Sequence, residues 1–379
     1  MEVPSENSGS PLRIIAVHGG AGFHARSQTS DAEIKKAMRM SCVRALAALA
    51  RGDKALQGVV EAITVLEDEE CLNAGYGSNL TLGGNVECDA SVMDGNTGDF
   101  GAVGAIRGVR NPITLAHEVL QRSRIPDPLG RIPPLLLVSS GAEDLARIRG
   151  LTCSPDSMIA PRASLEWQKW KALLETAQAA STLASISTPS QGDSYSSCMD
   201  GLRDRQDTVG AVVLDGASYI AAGVSSGGLL LKHPGRVGEA AIYGAGCWAT
   251  PHTACSVSGA GEYITRTALA RTVCEAVEAA GDDGDTHSIL NTILGEQFHR
   301  VCLQRGETSP QAGVLLLVKE LDDDGHQKPR LWCAFTTESM AIGYASSSSP
   351  KPSAMILRRP ARTSGTSASV YIAALPLHH

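Results

Sequence analysis

Residues 206–213 read Gln-Asp-Thr-Val-Gly-Ala-Val-Val and place one threonine, Thr208, between an acidic residue and an apolar run. The stretch before it is polar, and 187–204 is rich in Ser, Asp and Gly, a composition that predicts a mobile linker. The apolar run predicts a buried strand at 209–214. The change from a polar linker to a buried strand at Thr208 indicates a boundary between two parts of the chain.

A threonine in this position can carry chemistry if the chain is cut before it. The hydroxyl of Thr208 could attack the carbonyl of Asp207 in an N→O acyl shift, and hydrolysis of the ester would free the α-amine. An α-amine titrates near ~8, so it can take the proton of the hydroxyl on the same residue. The Asp207-Thr208 pair alone is more typical of a threonine that simply begins a strand. The hypothesis of self-cleavage therefore depends on the flanking residues.

Composition narrows the classes of function. The chain has 379 residues and a net charge of −7, which disfavours a nucleic-acid partner. Ten scattered cysteines without a Cys-x-x-Cys pair predict reduced thiols, and ten dispersed histidines predict neither a metal nor a cofactor. The polar start, 1–12, and the lack of a long apolar stretch predict a protein that is neither secreted nor membrane-bound. We expect a cytoplasmic protein, with a nuclear location left open.

The order of predicted elements is strands, paired helices and strands, and it repeats after residue 208. This order predicts an α/β fold in which two packed sheets have helices outside, a four-layer α/β/β/α sandwich. Ser30 and Glu33 predict a capping box at the start of the first helix. The predicted helices are 31–50, 55–67, 163–185, 262–280 and 286–304. The predicted strands are 13–17, 86–94, 100–109, 209–214, 219–224, 313–319, 331–335 and 341–344, and 346–366 is predicted as a surface segment.

Two segments after Thr208 have residues suited to a hydrolytic site. Ser225-Ser226-Gly227-Gly228 ends a predicted strand, so a hydroxyl there could bond the nucleophile while the glycines let the backbone approach. Arg236, in the glycine-containing loop 233–239, could hold a carboxylate by a two-pronged contact. Each feature alone is more typical of an ordinary loop or a surface arginine.

A third segment could stabilise negative charge. Ser256-Val-Ser258-Gly259 runs toward a predicted helix at Glu262. A serine hydroxyl and backbone N–H groups at such a position can bind an oxyanion. A plain helix cap is the more common meaning of this pattern taken by itself.

Together, these motifs resemble the N-terminal-nucleophile asparaginases, a family that includes isoaspartyl peptidases, glycosylasparaginases and the threonine aspartase taspase. Their order and spacing match over about 13–120 and 205–345. The matching segments, in chain order, are His18-Gly-Gly-Ala-Gly22, Asn73-Ala-Gly-Tyr-Gly-Ser78, 87–95, Thr208-Val-Gly210, Ser225-Ser-Gly-Gly228, Pro234-Gly-Arg-Val-Gly238 and Ser258-Gly-Ala-Gly-Glu262. The resemblance implies the fold of the N-terminal-nucleophile (Ntn) hydrolases.

The resemblance also implies roles for the catalytic residues. Thr208 would be the nucleophile and Ser226 its hydroxyl partner, where many asparaginases have threonine. Ser258 and the N–H of Gly259 would form the oxyanion hole. Asn73 would support the nucleophile region at the edge of the substrate site.

The loop around Arg236 would bind the substrate. The resemblance implies that Arg236 binds a substrate carboxylate, with Gly238 and Glu239 in the same loop. Asparaginases have an aspartate at the position of Glu239, where it grips the α-amine of asparagine, whereas taspase is expected to have a neutral residue. Glu239 therefore keeps a small-substrate activity open.

The longer motifs 231–248 and 336–344 and the insert at about 151–207 resemble taspase most. This implies a threonine endopeptidase that cleaves itself at Asp207-Thr208 and then cuts protein substrates after aspartate. The parts 1–207 and 208–379 would be the α and β subunits of one Ntn domain, and two processed units would pair. An isoaspartyl peptidase/L-asparaginase is the alternative, and an uncleaved, non-catalytic scaffold is a minor one.

Overall fold

Two β-sheets form the centre of the computed structural model, which describes residues 11–24, 28–184, 208–281, 284–321, 327–360 and 370–377. The predicted linker 187–204 lies outside these residues, and so does Asp207. The strands in chain order are β1 (Ile14–Gly22), β2 (Cys88–Asp94), β3 (Phe100–Ile106), β4 (Leu136–Val138), β5 (Val209–Leu214), β6 (Ile220–Ser226), β7 (Cys247–Ala249), β8 (Thr253–Gly259), β9 (Ala312–Leu321), β10 (Gln327–Phe335), β11 (Ser339–Ser346), β12 (Ser353–Arg358) and β13 (Tyr371–Leu375).

Helices pack against both sheets. Their bounds are α1 (Gln28–Ala50), α2 (Ala55–Glu67), α3 (Pro112–Ser123), α4 (Ser139–Arg149), α5 (Pro161–Ala184), α6 (Gly261–Thr267), α7 (Leu269–Ala280), α8 (Thr286–Asn291) and α9 (His299–Leu303), with a π-helical segment, Thr292–Phe298, before α9.

The larger sheet has the order β12-β11-β1-β5-β6-β2-β3-β4, and the smaller has the order β13-β10-β9-β8-β7. The first half of the chain pairs with the second through β1 and β5, where His18 is opposite Gly210. Since β1 and β6 both run antiparallel to β5, their last residues lie at the edge where β5 begins. This edge brings the ends of distant motifs together.

Both faces of the larger sheet are buried. In β1, Ile15 and Val17 pack into a core that includes α1 and α2, while Ile14 and Ala16 pack into a second core shared with β8 and β9. Helices α7 and α8 also contribute to that second core. The near-continuous apolar character of these strands follows from burial on both sides. A mixed α/β fold with two sheets agrees with the prediction.

Several boundaries differ from the predictions. The capping box is wrong, because α1 begins at Gln28 and Ser30 and Glu33 lie inside it. The predicted helix 262–280 is two helices, broken at Ala268, where a φ of +43° is incompatible with a continuous helix. Strand β12 lies within the predicted surface segment 346–366. Helices α3 and α4 and the short strands β4, β7 and β13 were not predicted.

Candidate active site

Thr208 lies at the start of β5, where it is only 3% exposed. Its hydroxyl is 3.1 Å from Oγ of Ser226 and 3.0 Å from Oε1 of Glu239. The first of these contacts follows from pairing of β5 with β6, which sets Val209 opposite Ser225. The structure therefore places the predicted nucleophile between a hydroxyl and a carboxyl group.

Proton counting gives these contacts a direction. The Gly228 N–H donates to Oγ of Ser226 at 3.0 Å. The hydroxyl of Thr208 is the donor in both of its contacts, to Oγ of Ser226 and to Oε1 of Glu239. It has a single proton, so it can bond only one of the two acceptors at a time. Transfer of this proton to Glu239 would leave Oγ1 of Thr208 able to attack a carbonyl carbon.

Ser258 has an arrangement suited to anion binding. Its Oγ accepts the N–H of Ala21 at 2.9 Å and the N–H of Thr208 at 3.4 Å. No acceptor for the proton of Ser258 lies among the described residues, so this proton can be donated to a substrate oxygen. The neighbouring Gly259 has a φ of +139°, and a Cβ there would stand 2.2 Å from the carbonyl oxygen of Gln311, so only glycine fits.

Arg236 lies at the other end of the site, in the turn that leads to Glu239. Its Nε and Nη2 donate to the carboxylate of Glu262 at 2.8 and 2.9 Å. The remaining nitrogen, Nη1, lies beside Gly238, where a Cβ would approach it to 2.4 Å. The Gly238 N–H is held by Asp89 at 2.8 Å. In this structure, therefore, Glu262 occupies the two-pronged face of Arg236 that a substrate carboxylate would use.

Glu239 is 3% exposed, and its Oε1 accepts the hydroxyl of Thr208. Burial raises its pKa above the ordinary range of a glutamate, although the charge of Arg236 and the hydroxyl of Thr208 partly oppose the shift. A carboxylate beside a nucleophile can accept its proton, and a raised pKa makes that carboxylate a stronger base.

Asn73 supports the glycine loop that follows β6. Its Nδ2 donates to the carbonyl of Gly228 at 2.9 Å, and its Oδ1 accepts the N–H of Asn79 at 2.8 Å. The Gly227 N–H in turn donates to the carbonyl of Asn73 at 2.9 Å. These bonds hold the loop next to Ser226.

A small cavity of about 10 Å³ lies at the centre of these groups. Of the residues predicted for the site, the structure brings six to its wall, with Ser258 in contact with Thr208 and Gly238 in the adjoining turn. The lining residues are Asn73, Thr208, Ser226, Gly228, Leu229, Arg236, Glu239 and Gly259. Asp207 lies outside the described residues.

A buried histidine below the nucleophile was not predicted as part of the site. His18 Nε2 lies 2.9 Å from Oγ of Ser256, which donates its own proton to the carbonyl of Gly223. Ser256 must therefore accept from Nε2, which fixes the tautomer. Burial lowers the pKa of His18 to about 3, so the ring is neutral. Gly210 makes room for both groups, since a Cβ there would lie 2.0 Å from Oγ of Ser256.

Two buried acids behind the site were also missed. Asp89 accepts the N–H groups of Ala105 and Gly238 at 2.8 Å, and thus ties the Arg236 turn to β2. Glu67 accepts the hydroxyl of Ser225 at 2.6 Å and the N–H of Ile113 at 2.9 Å. Burial raises the pKa of both acids, to about 8 for Glu67. The sequence signal for Asp89 was an acidic residue between the apolar residues Cys88 and Ala90 of a predicted strand.

Within the described ranges, no three His, Cys, Asp or Glu side chains are grouped so that they could hold a metal ion. None of the helices in those ranges is both long and apolar enough to span a bilayer.

The family model described as asparaginase matches residues 11–294. The chain belongs to the asparaginase family. It is thus a hydrolase of this family, and the family implies the Ntn-hydrolase fold for its two sheets.

Named relatives agree with the family assignment. The chain is 37% identical to an isoaspartyl peptidase of Salmonella typhimurium over 339 residues, which cover 88% of this chain and 95% of that protein. It is 35% identical to a plant-type L-asparaginase of Pyrobaculum calidifontis over 72% of this chain and 82% of that protein. It is also 35% identical to an isoaspartyl peptidase/L-asparaginase of Xenopus laevis, over 70% of this chain and 76% of that protein. These names favour the small-substrate alternative over the taspase branch.

Proposed function

We propose that this member of the asparaginase family is a self-processing hydrolase of L-asparagine and β-aspartyl peptides, with Thr208 as its nucleophile. The substrates share an aspartyl group with an α-carboxylate, an α-ammonium and an amide on the side chain. A site for them needs a cation, an anion and a nucleophile within the length of one amino acid.

The observation that carries this proposal is the presence of those three groups around one cavity. Arg236 supplies the cation, Glu239 the anion, and Thr208 the hydroxyl, and all three line the same space. Arg236 would bind the substrate carboxylate and Glu239 the ammonium. The amide carbonyl would then lie against Thr208, with Ser258 and Gly259 around its oxygen.

The intact chain must first cut itself. Oγ1 of Thr208 attacks the carbonyl carbon of Asp207, and the C–N bond to Thr208 breaks as its nitrogen takes up a proton. Water then hydrolyses the ester, which leaves a carboxylate on Asp207 and a free amine on Thr208. Glu239, at 3.0 Å from the hydroxyl, is the base available while the amine is still in the peptide bond.

The processed enzyme would repeat the same chemistry on a substrate. The freed amine of Thr208 lies beside Oγ of Ser258, since the backbone nitrogen is 3.4 Å away. This amine takes the hydroxyl proton, Oγ1 attacks the amide carbonyl, and the leaving amine departs protonated. Water releases aspartate from the acyl-enzyme ester.

The cavity must open before it admits a substrate. Its volume of about 10 Å³ is room for roughly one water molecule. Separation of Arg236 from Glu262 would both enlarge the space and free the two-pronged face of the guanidinium group. We infer that self-cleavage and substrate binding accompany this separation.

A threonine endopeptidase that cuts after aspartate is the second candidate. The observation in its favour is Asp207 itself, which would make the processing junction a copy of the substrate sequence. Glu239 also has one methylene more than aspartate and already contacts Thr208. In either case, 1–207 and 208–379 would be the subunits of one four-layer Ntn domain, paired in a dimer of processed units.

One assay separates the two candidates. The processed protein is incubated with L-asparagine, with β-aspartyl-alanine, and with a folded protein that carries an exposed Asp-Gly bond. Release of ammonia and alanine without cleavage of the protein supports the small-substrate hydrolase. Cleavage after aspartate without turnover of the two small substrates contradicts it and favours the endopeptidase. Thr208→Ala is the control that must be inactive in all three.

A further inference from the structure

A second and larger cavity, of about 460 Å³, lies at the ends of β1, β11 and β12. It is distinct from the small cavity at Thr208, since none of the residues that line one lines the other. Polar backbone and side chains dominate its wall. Its wall includes Gly22, His24, Gln311 and Ser339.

Along the chain, the wall of this cavity begins directly after Ala21, which contacts Ser258 of the candidate oxyanion hole. Ala21, whose N–H bonds Oγ of Ser258, is followed directly by Gly22 in the cavity wall. Gln311, also in the wall, accepts the N–H of Ala260 at 2.9 Å. The wall of the larger cavity therefore includes residues directly bonded to, or next in the chain to, the residues around Ser258 and Gly259.

The cavity lies on the opposite flank of the nucleophile from Arg236. In the sheet order, β6 is on one side of β5, and β1, β11 and β12 follow on the other. Neighbouring strands are about 4.8 Å apart, so the cavity extends roughly 5 to 15 Å from β5. An extended peptide advances about 3.3 Å per residue, so this distance accommodates about two to four residues. Ammonia, the leaving group from asparagine, would not extend into the cavity.

His24, in the wall, has a ring nitrogen whose protonation state follows from its neighbours. Oγ of Ser339 donates to the carbonyl of Gly22 at 3.0 Å, and it accepts the backbone N–H of His24 at 3.1 Å. The remaining 2.9 Å contact with Nδ1 of His24 therefore needs a proton on Nδ1. Nε2 is then an acceptor, and it is buried without a hydrogen-bond partner among the described residues. The side chain as a whole is 5% exposed.

We infer that this cavity binds the peptide on the leaving side of the scissile bond, and that Nε2 of His24 accepts a backbone N–H of that peptide. The inference rests on the proposed function, because it assumes acyl transfer to Thr208. As the C–N bond breaks, the leaving peptide takes a proton on its new amine and occupies the cavity before it departs. The enzyme is thus a hydrolase of β-aspartyl peptides longer than dipeptides, in addition to asparagine.

The first test uses the unaltered processed enzyme and a series of leaving groups. The kcat/KM is measured for L-asparagine and for β-aspartyl peptides with one, two, three and four alanines. We expect kcat/KM to rise with each alanine up to about three and then to level off. Equal values along the series, or a decline from the first alanine onward, would overturn the inference.

The second test removes the acceptor. His24→Leu should lower the ratio of kcat/KM for the tri-alanine substrate to that for asparagine by about fivefold or more, the effect of losing one hydrogen bond. His287→Leu, the same change at an exposed histidine outside the cavity, should leave the ratio unaltered. An equal ratio in wild type and His24→Leu contradicts the role of His24.

The outcomes distinguish this inference from the proposed function. Turnover that is independent of leaving-group length overturns the cavity assignment alone. If no substrate is turned over, the proposed function fails. In that case, binding of tri-alanine tests whether the cavity holds a peptide. The histidine ring signals of the protein are followed by NMR, and the signal absent from His24→Leu is expected to shift when tri-alanine is added. A signal that does not shift would overturn the inference.

Discussion

The hydroxyl of Thr208 lies 3.0 Å from Oε1 of Glu239, and both side chains are buried. In the intact chain the nitrogen of Thr208 is part of a peptide bond and has no lone pair to accept a proton. Among the described residues that contact this hydroxyl, Glu239 is the one with a carboxyl group. In the proposed mechanism, Glu239 therefore acts as the base in self-cleavage and also binds the substrate ammonium.

Substitution of Glu239 by Gln should slow self-cleavage by roughly 10²-fold or more, the usual contribution of a positioned base. The amide has nearly the same shape but cannot accept the proton. Glu275→Gln, at an exposed glutamate paired with Arg271, is the matched control and should process at the normal rate. The fraction of uncut chain is followed on a denaturing gel after purification. Normal processing in Glu239→Gln would remove Glu239 from the mechanism.

The same residue predicts the pH dependence of self-cleavage. Glu239 acts as a base only when it is ionised, and burial raises its pKa. The rate should therefore fall as pH decreases through this raised pKa, at a pH above the value of about 4.3 for a free glutamate. Glu239→Gln should lack that inflection. If the pH–rate profiles of both proteins have an inflection at the same pH, the inflection belongs to a group other than Glu239.

Loss of the Ser258 hydroxyl should affect the chemical step more than binding. Ser258→Ala is expected to lower kcat by roughly 10² to 10³, as removal of one oxyanion donor does elsewhere, with a smaller change in KM. Ser353→Ala, at an exposed serine of β12, is the control. Steady-state kinetics with β-aspartyl-alanine measure both constants. A large rise in KM at unaltered kcat would show that Ser258 binds substrate rather than the transition state.

Glu67 should make the fold less stable as pH rises. Its folded pKa of about 8 lies above that of a free glutamate, so from about pH 4.5 to 8 the unfolded chain loses a proton that the folded chain keeps. The free energy of unfolding contributed by this group then decreases by roughly 1 kcal/mol per pH unit. Glu67→Gln should remove that slope. Urea unfolding of uncleaved Thr208→Ala, with and without Glu67→Gln, between pH 5 and 8 measures it, and parallel curves would contradict it.

The motifs in their chain order and the family that they resemble gave the candidate site residues, and six of these residues line one small cavity. The family resemblance assigned Ser226 as the hydroxyl partner of Thr208, and the pairing of β5 with β6 brings the two hydroxyls together. Helix α2 was predicted with its observed bounds, because its apolar residues recur at helical spacing. The two-sheet α/β architecture followed from the order of such elements.

Contacts between distant parts of the chain could not be read in this way. His18 and Ser256 are 238 residues apart, and nothing in either segment predicts a contact between them. The ion pair between Arg236 and Glu262 was not predicted either. In the sequence, Arg236 is typical of a surface arginine in a loop, and Glu262 is typical of a residue at the start of a helix. Both contacts depend on how the two sheets are aligned, which the pattern of a single element does not define.

Release of the N-terminus of Thr208 can be tested by the mass and the N-terminal sequence of the purified protein. We expect two fragments, 1–207 and 208–379, the second beginning with Thr-Val-Gly, and a single intact chain for Thr208→Ala. An intact wild-type chain that nevertheless hydrolyses β-aspartyl-alanine, or a cut at any other bond, would contradict self-cleavage at Asp207-Thr208 as the source of the nucleophile.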